Sequence, residues 1–159
     1  MDGLRGAVSR EMQEMQSAVD AYDEAVAGVL GVNRTDLRCL EILSRQEPVT
    51  PSVLGPALGL TTGSVTAMLD RLEKLRYLTR SPDPSDRRKV VVRITEEAGR
   101  KVWALYEPFV TEGGALLDGF GAEELERMAA FLRRSRELYE RQLERVRELP
   151  TARRRTGRP

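Results

Sequence analysis

The chain has no histidine and a single cysteine among its 159 residues. Those two absences exclude more chemistry than any motif supplies. Ser-His-Asp and Cys-His nucleophilic arrangements cannot be built, zinc sites with histidine ligands are ruled out, and one thiolate cannot make a structural zinc site or an internal disulfide. Aromatic residues are only 5% of the chain, and the apolar run AVAGVLGV at 25–32 is far too short to span a bilayer. With no secretory signal pattern at the N-terminus, a cytoplasmic location is expected. No GxxxxGK[ST] or GxGxxG phosphate loop is present. The carboxylate pairs Glu96-Glu97 and Glu123-Glu124 each open an amphipathic helical pattern, where they favour a helix N-terminus rather than act as acid and base. No catalytic residue, metal site or cofactor is therefore expected.

What is present is charge and helical periodicity. Charged residues are 32% and apolar residues 40% of the chain, the balance of a helical protein of one domain. The net charge is only +1, but it is unevenly spread. Residues 71–93 hold eight Arg or Lys against three Asp or Glu, whereas residues 1–50 hold five against nine.

Leu4, Val8, Met12, Met15, Val19, Tyr22, Val26 and Val29 form one helical stripe through 4–30, which Gly31 ends. Asn33 caps a second helix, with Asp36 at its third position and Leu37, Leu40 and Leu43 inward. Thr50 followed by Pro51 starts a third, with Leu54, Ala57 and Leu58 inward and Pro56 shortening or bending it. Gly59 turns the chain, and Thr61 caps a fourth helix over 62–76 whose buried arc is Val65, Met68, Leu69 and Leu72. A helix, a short glycine turn and a second helix is the sequence form of a helix-turn-helix. The opposite arc carries Gly63, Ala67, Asp70 and Lys74, flanked by Thr62, Ser64, Thr66 and Arg71. It is small and hydroxylated at its N-terminal end, which lets a helix sink into a major groove; taken alone, the same pattern also fits a surface helix whose Ser and Thr merely cap.

The segment SPDPSDRRKVVVRIT at 81–95 then places turn chemistry between two β-rich stretches, Leu78–Arg80 and Val90–Ile94. Three adjacent cations, Arg87, Arg88 and Lys89, sit at the end of that turn. A basic hairpin directly after such a helix reads as a wing, whose tip cations suit the minor groove beside the major-groove contact, although a basic β-turn taken alone is more often a solvated loop. Asp86 is placed to hold an arginine there. A long helix follows from Thr95 with Val102, Trp103, Tyr106, Phe109 and Val110; Gly113, Gly114, Gly119 and Gly121 interrupt it. The last helix starts at Ala122 with Leu125, Met128, Leu132, Tyr139, Leu143 and Val146. These long terminal helices carry more apolar surface than a small winged core covers, which suggests pairing with a second copy. The basic tail, 151–159, lacks apolar periodicity and is expected to be disordered.

Residues 58–99, LGLTTGSVTAMLDRLEKLRYLTRSPDPSDRRKVVVRITEEAG, closely resemble the MarR family of bacterial transcriptional regulators, with NRTDLRCLEIL and GAEELERMAAFL matching on either side. The most specific elements are Asp86-Arg87-Arg88 followed by a strand ending Ile94-Thr95, in register with the Leu-Gly-Leu turn and with Asp70-Arg71-Leu72-Glu73. The resemblance implies a mainly α (α+β) fold in a single domain over 1–150: a winged helix-turn-helix with a two-stranded wing at 33–95, flanked by dimerisation helices at 4–30 and 96–148. It implies a homodimer that regulates genes, most often as a repressor, by binding an inverted-repeat operator in double-stranded DNA, with release by a small aromatic or phenolic effector in many members. Expected DNA-binding residues are Thr61, Thr62, Gly63, Ser64, Thr66, Arg71 and Lys74 on and before the recognition helix, and Asp86, Arg87, Arg88 and Lys89 on the wing. Tyr22, Arg38, Trp103 and Tyr106 are candidate effector-lining residues by position.

Two departures stand out. The family commonly has Gly where this chain has Arg76, two residues before the first wing strand. Some relatives sense oxidants through a cysteine of the first helix, whereas Cys39 lies in the second amid Leu37, Leu40 and Leu43 and reads as a buried small hydrophobe. The rival reading from the residues is a winged-helix dimer that serves as a protein-interaction module without specific DNA binding.

Overall fold

A computed structural model describes residues 2–46 and 48–149; the basic tail expected to be disordered lies outside the described residues. The element order is α1 (Asp2–Leu30), α2 (Arg34–Arg45), α3 (Pro51–Leu58), α4 (Thr62–Lys74), β1 (Leu78–Pro82), β2 (Val90–Ile94), α5 (Glu96–Ala115) and α6 (Ala122–Arg147). The chain divides into two compact units, one reaching Phe109 and the other starting at Val110.

In the first unit the local signals act largely as the sequence implies. Gly31 takes the left-handed conformation, φ 67°, that closes α1. Asn33 caps α2, its side-chain oxygen accepting from the Asp36 amide at 2.9 Å. Thr61 caps α4 by accepting from the Ser64 amide at 3.3 Å. Thr50 stands at the cap of α3 without a side-chain cap bond; its hydroxyl pairs with that of Ser52 at 2.8 Å instead, so Pro51 and the extended Thr50 backbone set the start. Pro56 sits inside α3, which is only 8 residues long. Leu54 and Gly55 form its buried side, while Ala57, expected inward, is exposed and Leu58 is half-buried. The helix is too short to bury a wider stripe, and Gly55 is what allows its close approach: a Cβ there would lie 3.3 Å from the Leu60 carbonyl oxygen.

α3 and α4 meet at 108° across Gly59, whose φ of 66° only glycine adopts freely. α4 ends at Lys74, shorter than the expected 76, because Leu75, Arg76 and Tyr77 close it. The Tyr77 amide donates to Leu72 O and the Arg76 amide to Glu73 O, both at 2.9 Å. That pair of bonds is a Schellman motif, and it puts Arg76 at the left-handed position with φ 61°. The residue where the resembled family has glycine is therefore a strained arginine.

β1 and β2 pair antiparallel, Leu78 opposite Ile94 through Pro82 opposite Val90, so β1 runs two residues beyond its expected end. A single bridge between Val49 and Val92 ties the α2–α3 connection to the middle of β2. Leu37, Leu40, Leu43, Leu54, Leu69, Leu72, Leu78 and Val92 form the fully buried centre of the core, joined by Val26 and Leu30 of α1 and Val102 of α5. Burying a side chain of this size contributes about 1.5–3 kcal/mol, so the cluster is ample to hold the helix-turn-helix and wing as one body.

In α5, Gly113 and Gly114 do not break the helix, which runs on to Ala115; Gly119 and Gly121 fall in the connection that follows. In the second unit Gly121 precedes α6, and Glu124 reaches back to accept from the Gly121 amide at 2.8 Å. No residue of α6 is buried, and Leu132, Tyr139 and Val146 are more than half exposed along it.

Candidate nucleic-acid interface

The exposed face of α4 presents Thr62, Gly63, Ser64, Thr66, Ala67, Asp70, Arg71 and Lys74, while Val65, Met68, Leu69 and Leu72 are buried behind them. Its hydroxyls are held locally: the Ser64 hydroxyl pairs with that of Thr61 at 2.9 Å, and the Thr66 hydroxyl donates to the Thr62 carbonyl at 3.1 Å. Each keeps hydrogen-bonding capacity for an outside partner, since a hydroxyl offers one donor and two acceptor sites. Gly63 has nothing within 4 Å of where a Cβ would stand, so this end of the helix is open.

Arg71 has surroundings that the sequence did not foreshadow. Its Nε and Nη2 donate to the two carboxylate oxygens of Asp36, at 2.8 and 2.5 Å. Asp36 is 1% exposed, the one buried charged side chain among the described residues. The sequence placed that carboxylate at a helix N-terminus, which is correct, but gave no sign that it faces α4. The bond to Asp36 raises the Arg71 pKa above the arginine range and keeps the guanidinium fully charged.

A second cluster joins α4 to the wing. Arg80 of β1 donates to Glu73 and pairs with Asp70, the latter at 2.7 Å. The hydrogen bond from Arg80 holds the Glu73 carboxyl below the usual carboxylate range. Asp70, on the exposed arc, thus carries a counter-charge that lowers its repulsion toward a polyanion.

At the wing tip, Asp83 organises the turn by accepting from the Ser85 amide at 2.7 Å, the Ser85 hydroxyl at 2.6 Å and the Asp86 amide at 3.3 Å. These bonds, the Ser85 hydroxyl first, hold its carboxyl below its ordinary value. Asp86 accepts from the backbone amide of Arg88 at 3.1 Å and from its Nε at 3.4 Å. Arg88 is nonetheless 93% exposed, and Arg87 and Lys89 are exposed beside it. The turn is therefore stiff at its acidic base and open at its basic end.

Away from this surface, a cavity of about 700 Å³ in the first unit brings together Tyr22, Arg38 and Tyr106 with Met15, Glu41 and Phe109. The Tyr22 hydroxyl donates to the Leu105 carbonyl at 2.6 Å, and the Tyr106 hydroxyl to Glu41 at 2.7 Å. Burial, and then the Glu41 carboxylate, push the Tyr106 phenol up and keep it a donor. Trp103, also expected here, is 57% exposed and does not line the cavity. Cys39 is fully buried, and burial pushes its thiol up to about 12. Among the described residues no cluster of His, Cys, Asp or Glu is arranged to hold a metal ion, and no single helix is long and apolar enough to cross a membrane.

Two helices crossing at 108°, the second exposed along one face and followed by an antiparallel hairpin with a cationic tip, define a winged helix-turn-helix protein. Comparison with known proteins carries this further. The MarR family model matches residues 32–90. The uncharacterized HTH-type transcriptional regulator YcgE of Bacillus subtilis is 37% identical over 127 residues, covering 80% of this chain and 82% of the relative. Transcriptional regulator Tm0710 of Thermotoga maritima superposes with a TM-score of 0.57 at 27% identity, covering 87% of this chain and 98% of the other. A MepR mutant of S. aureus solved with an oligodeoxyribonucleotide shares the fold, with a TM-score of 0.58 at 21% identity over 83% of this chain and 97% of the other. The chain belongs to the MarR family and is a transcriptional regulator of the winged helix-turn-helix type.

Proposed function

We propose that the protein acts in the cytoplasm as a homodimeric repressor that binds an inverted-repeat operator in double-stranded DNA and has no enzymatic activity of its own. α4 enters the major groove with Thr62, Gly63, Ser64 and Thr66 at the base edges and Arg71 and Lys74 toward the backbone. The wing lies over the neighbouring minor groove, with Arg87, Arg88 and Lys89 directed to it and Asp86 bracing Arg88. The observation that carries this reading is the pairing of an open, hydroxyl-bearing face on α4 with three exposed cations on a hairpin stiffened by Asp83 and Asp86. An inserted arginine in a narrow minor groove gains from the concentrated negative potential there.

Dimerisation is supported by the apolar residues left exposed on α1 and α6, such as Leu4 at 77% and Tyr139 at 66%, which a lone chain would hold in water. The cavity lined by Tyr22, Arg38 and Tyr106 is the site we assign to a small aromatic or phenolic effector. Its walls are mostly apolar and include the rings of Tyr22, Tyr106 and Phe109, and among its four charged groups, Asp23, Arg38, Glu41 and Arg45, the two arginines can orient a hydroxyl or carboxylate.

The test is selection of bound duplexes from a random DNA pool by the purified protein at near-physiological salt. Enrichment of an inverted repeat with half-sites about one helical turn apart is expected for a two-fold dimer. A folded dimer that enriches no sequence would refute the operator reading and favour a protein-interaction role.

A further inference from the structure

Asp36 holds a position the DNA-binding reading does not account for. It is buried in α2, its two oxygens are both taken by Arg71 of α4, and Arg71 itself remains 47% exposed. An arginine has five N–H groups in a rigid planar fork. The side edge, Nε and Nη2, is engaged by Asp36, which leaves the Nη1 group and the second Nη2 hydrogen for an acceptor outside the protein. Arg71 lies in the last turn of α4, flanking its exposed face. In a helix-turn-helix the N-terminal part of the recognition helix meets base edges, so a cation in the last turn is placed for the backbone.

We propose that Asp36 is a positioning residue for DNA binding: it fixes the plane of the Arg71 guanidinium so that its free edge receives one phosphate of the duplex. The inference rests on the DNA-binding reading above and deepens it. Because the carboxylate cancels most of the charge that Arg71 presents at a distance, the clamp supplies geometry rather than attraction. Holding the fork in place beforehand removes the ordering that a free arginine side chain would undergo on binding. The sign of the effect is therefore opposite to simple electrostatics, in which removing a negative charge tightens binding to a polyanion.

Wild type, Asp36→Asn and Arg71→Lys are compared by fluorescence anisotropy on the duplex enriched from the random pool and on a scrambled duplex, with thermal melting of each protein alongside. Each variant is expected to bind the enriched duplex about tenfold more weakly. The scrambled duplex should weaken by the same factor, because a phosphate contact is indifferent to sequence. Variants that melt lower yet bind as wild type would reduce the pair to a strut between α2 and α4 and overturn the proposal. Tighter binding by Asp36→Asn overturns it too, and a loss confined to the enriched duplex would make Arg71 a base reader. If Asp36→Asn does not fold, Arg71→Lys decides, since it keeps the charge on a half-exposed side chain and loses only the fork. A wild type that binds no duplex would instead bring down the DNA-binding reading itself.

Discussion

Replacing Arg76 by glycine should stabilise the protein although it removes a charged side chain and adds no contact. Arg76 sits at φ 61° as the left-handed residue of the Schellman motif that ends α4, with the Tyr77 amide on Leu72 O and its own amide on Glu73 O. Its carbonyl also accepts from the Thr95 hydroxyl at 2.9 Å, so the chain on both sides is held and cannot relax the angle. A non-glycine residue in this conformation costs about 1–2 kcal/mol, while glycine gives back roughly 0.5–1 kcal/mol through the greater freedom of its unfolded chain. The net gain is roughly 0.5–1 kcal/mol, or about 2 °C in melting temperature for a chain of this length. Arg76→Ala is the control, because it keeps the strain and removes the side chain, including its attraction for Glu97. Urea unfolding at one fixed protein concentration should give Arg76→Gly the higher midpoint with an unchanged slope, and Arg76→Ala none of that gain. Equal midpoints for the two variants would show that the left-handed angle carries no cost and refute the reasoning.

Arg88→Ala should weaken operator binding by roughly 1–3 kcal/mol if the wing arginine reads the groove; Asp86→Ala, which releases the Arg88 amide and Nε, should reproduce part of that loss in the same titration. Cys39, fully buried with its thiol pushed up to about 12, should resist iodoacetamide at pH 8 in the native protein and react at once in denaturant. Rapid labelling of folded protein would remove the core assignment. The Glu73 carboxyl is held below its ordinary 4.5 by Arg80, so the unfolded chain takes up the proton first. Its contribution to stability is present above about pH 4.5 and is lost as the pH falls through the folded value; acid titration of Glu73→Gln, followed by circular dichroism, should lack that component.

Much of the functional surface was legible as sequence because its signals are local. Asn33 and Thr61 cap helices through bonds to residues three positions on, Gly59 turns the chain by its own backbone freedom, and the Asp83 carboxylate orders the turn through bonds to Ser85 and Asp86, two and three positions on. Such bonds depend on spacing along the chain, which a sequence displays directly. The apolar arc of α4 was legible for the same reason, since Val65, Met68, Leu69 and Leu72 repeat at the helical period and all four are buried.

Tertiary structure alone decided what faces what across distant segments. The carboxylate of Asp36 is suited to a helix N-terminus whether or not anything covers it, and only the packing of α2 under α4 makes it the partner of Arg71, 35 positions away. Arg80 could have been one more cation for DNA until β1 laid it against Asp70 and Glu73. Ala57 and Trp103 sit at periodic apolar positions yet remain exposed: α3 is too short to bury a second row, and Trp103 lies outside the lining of the cavity that Tyr106 enters. Periodicity fixes which residues share a face of one element. Which partner that face meets depends on long-range contacts whose energies are summed over the whole core, and no single stretch of the chain records them.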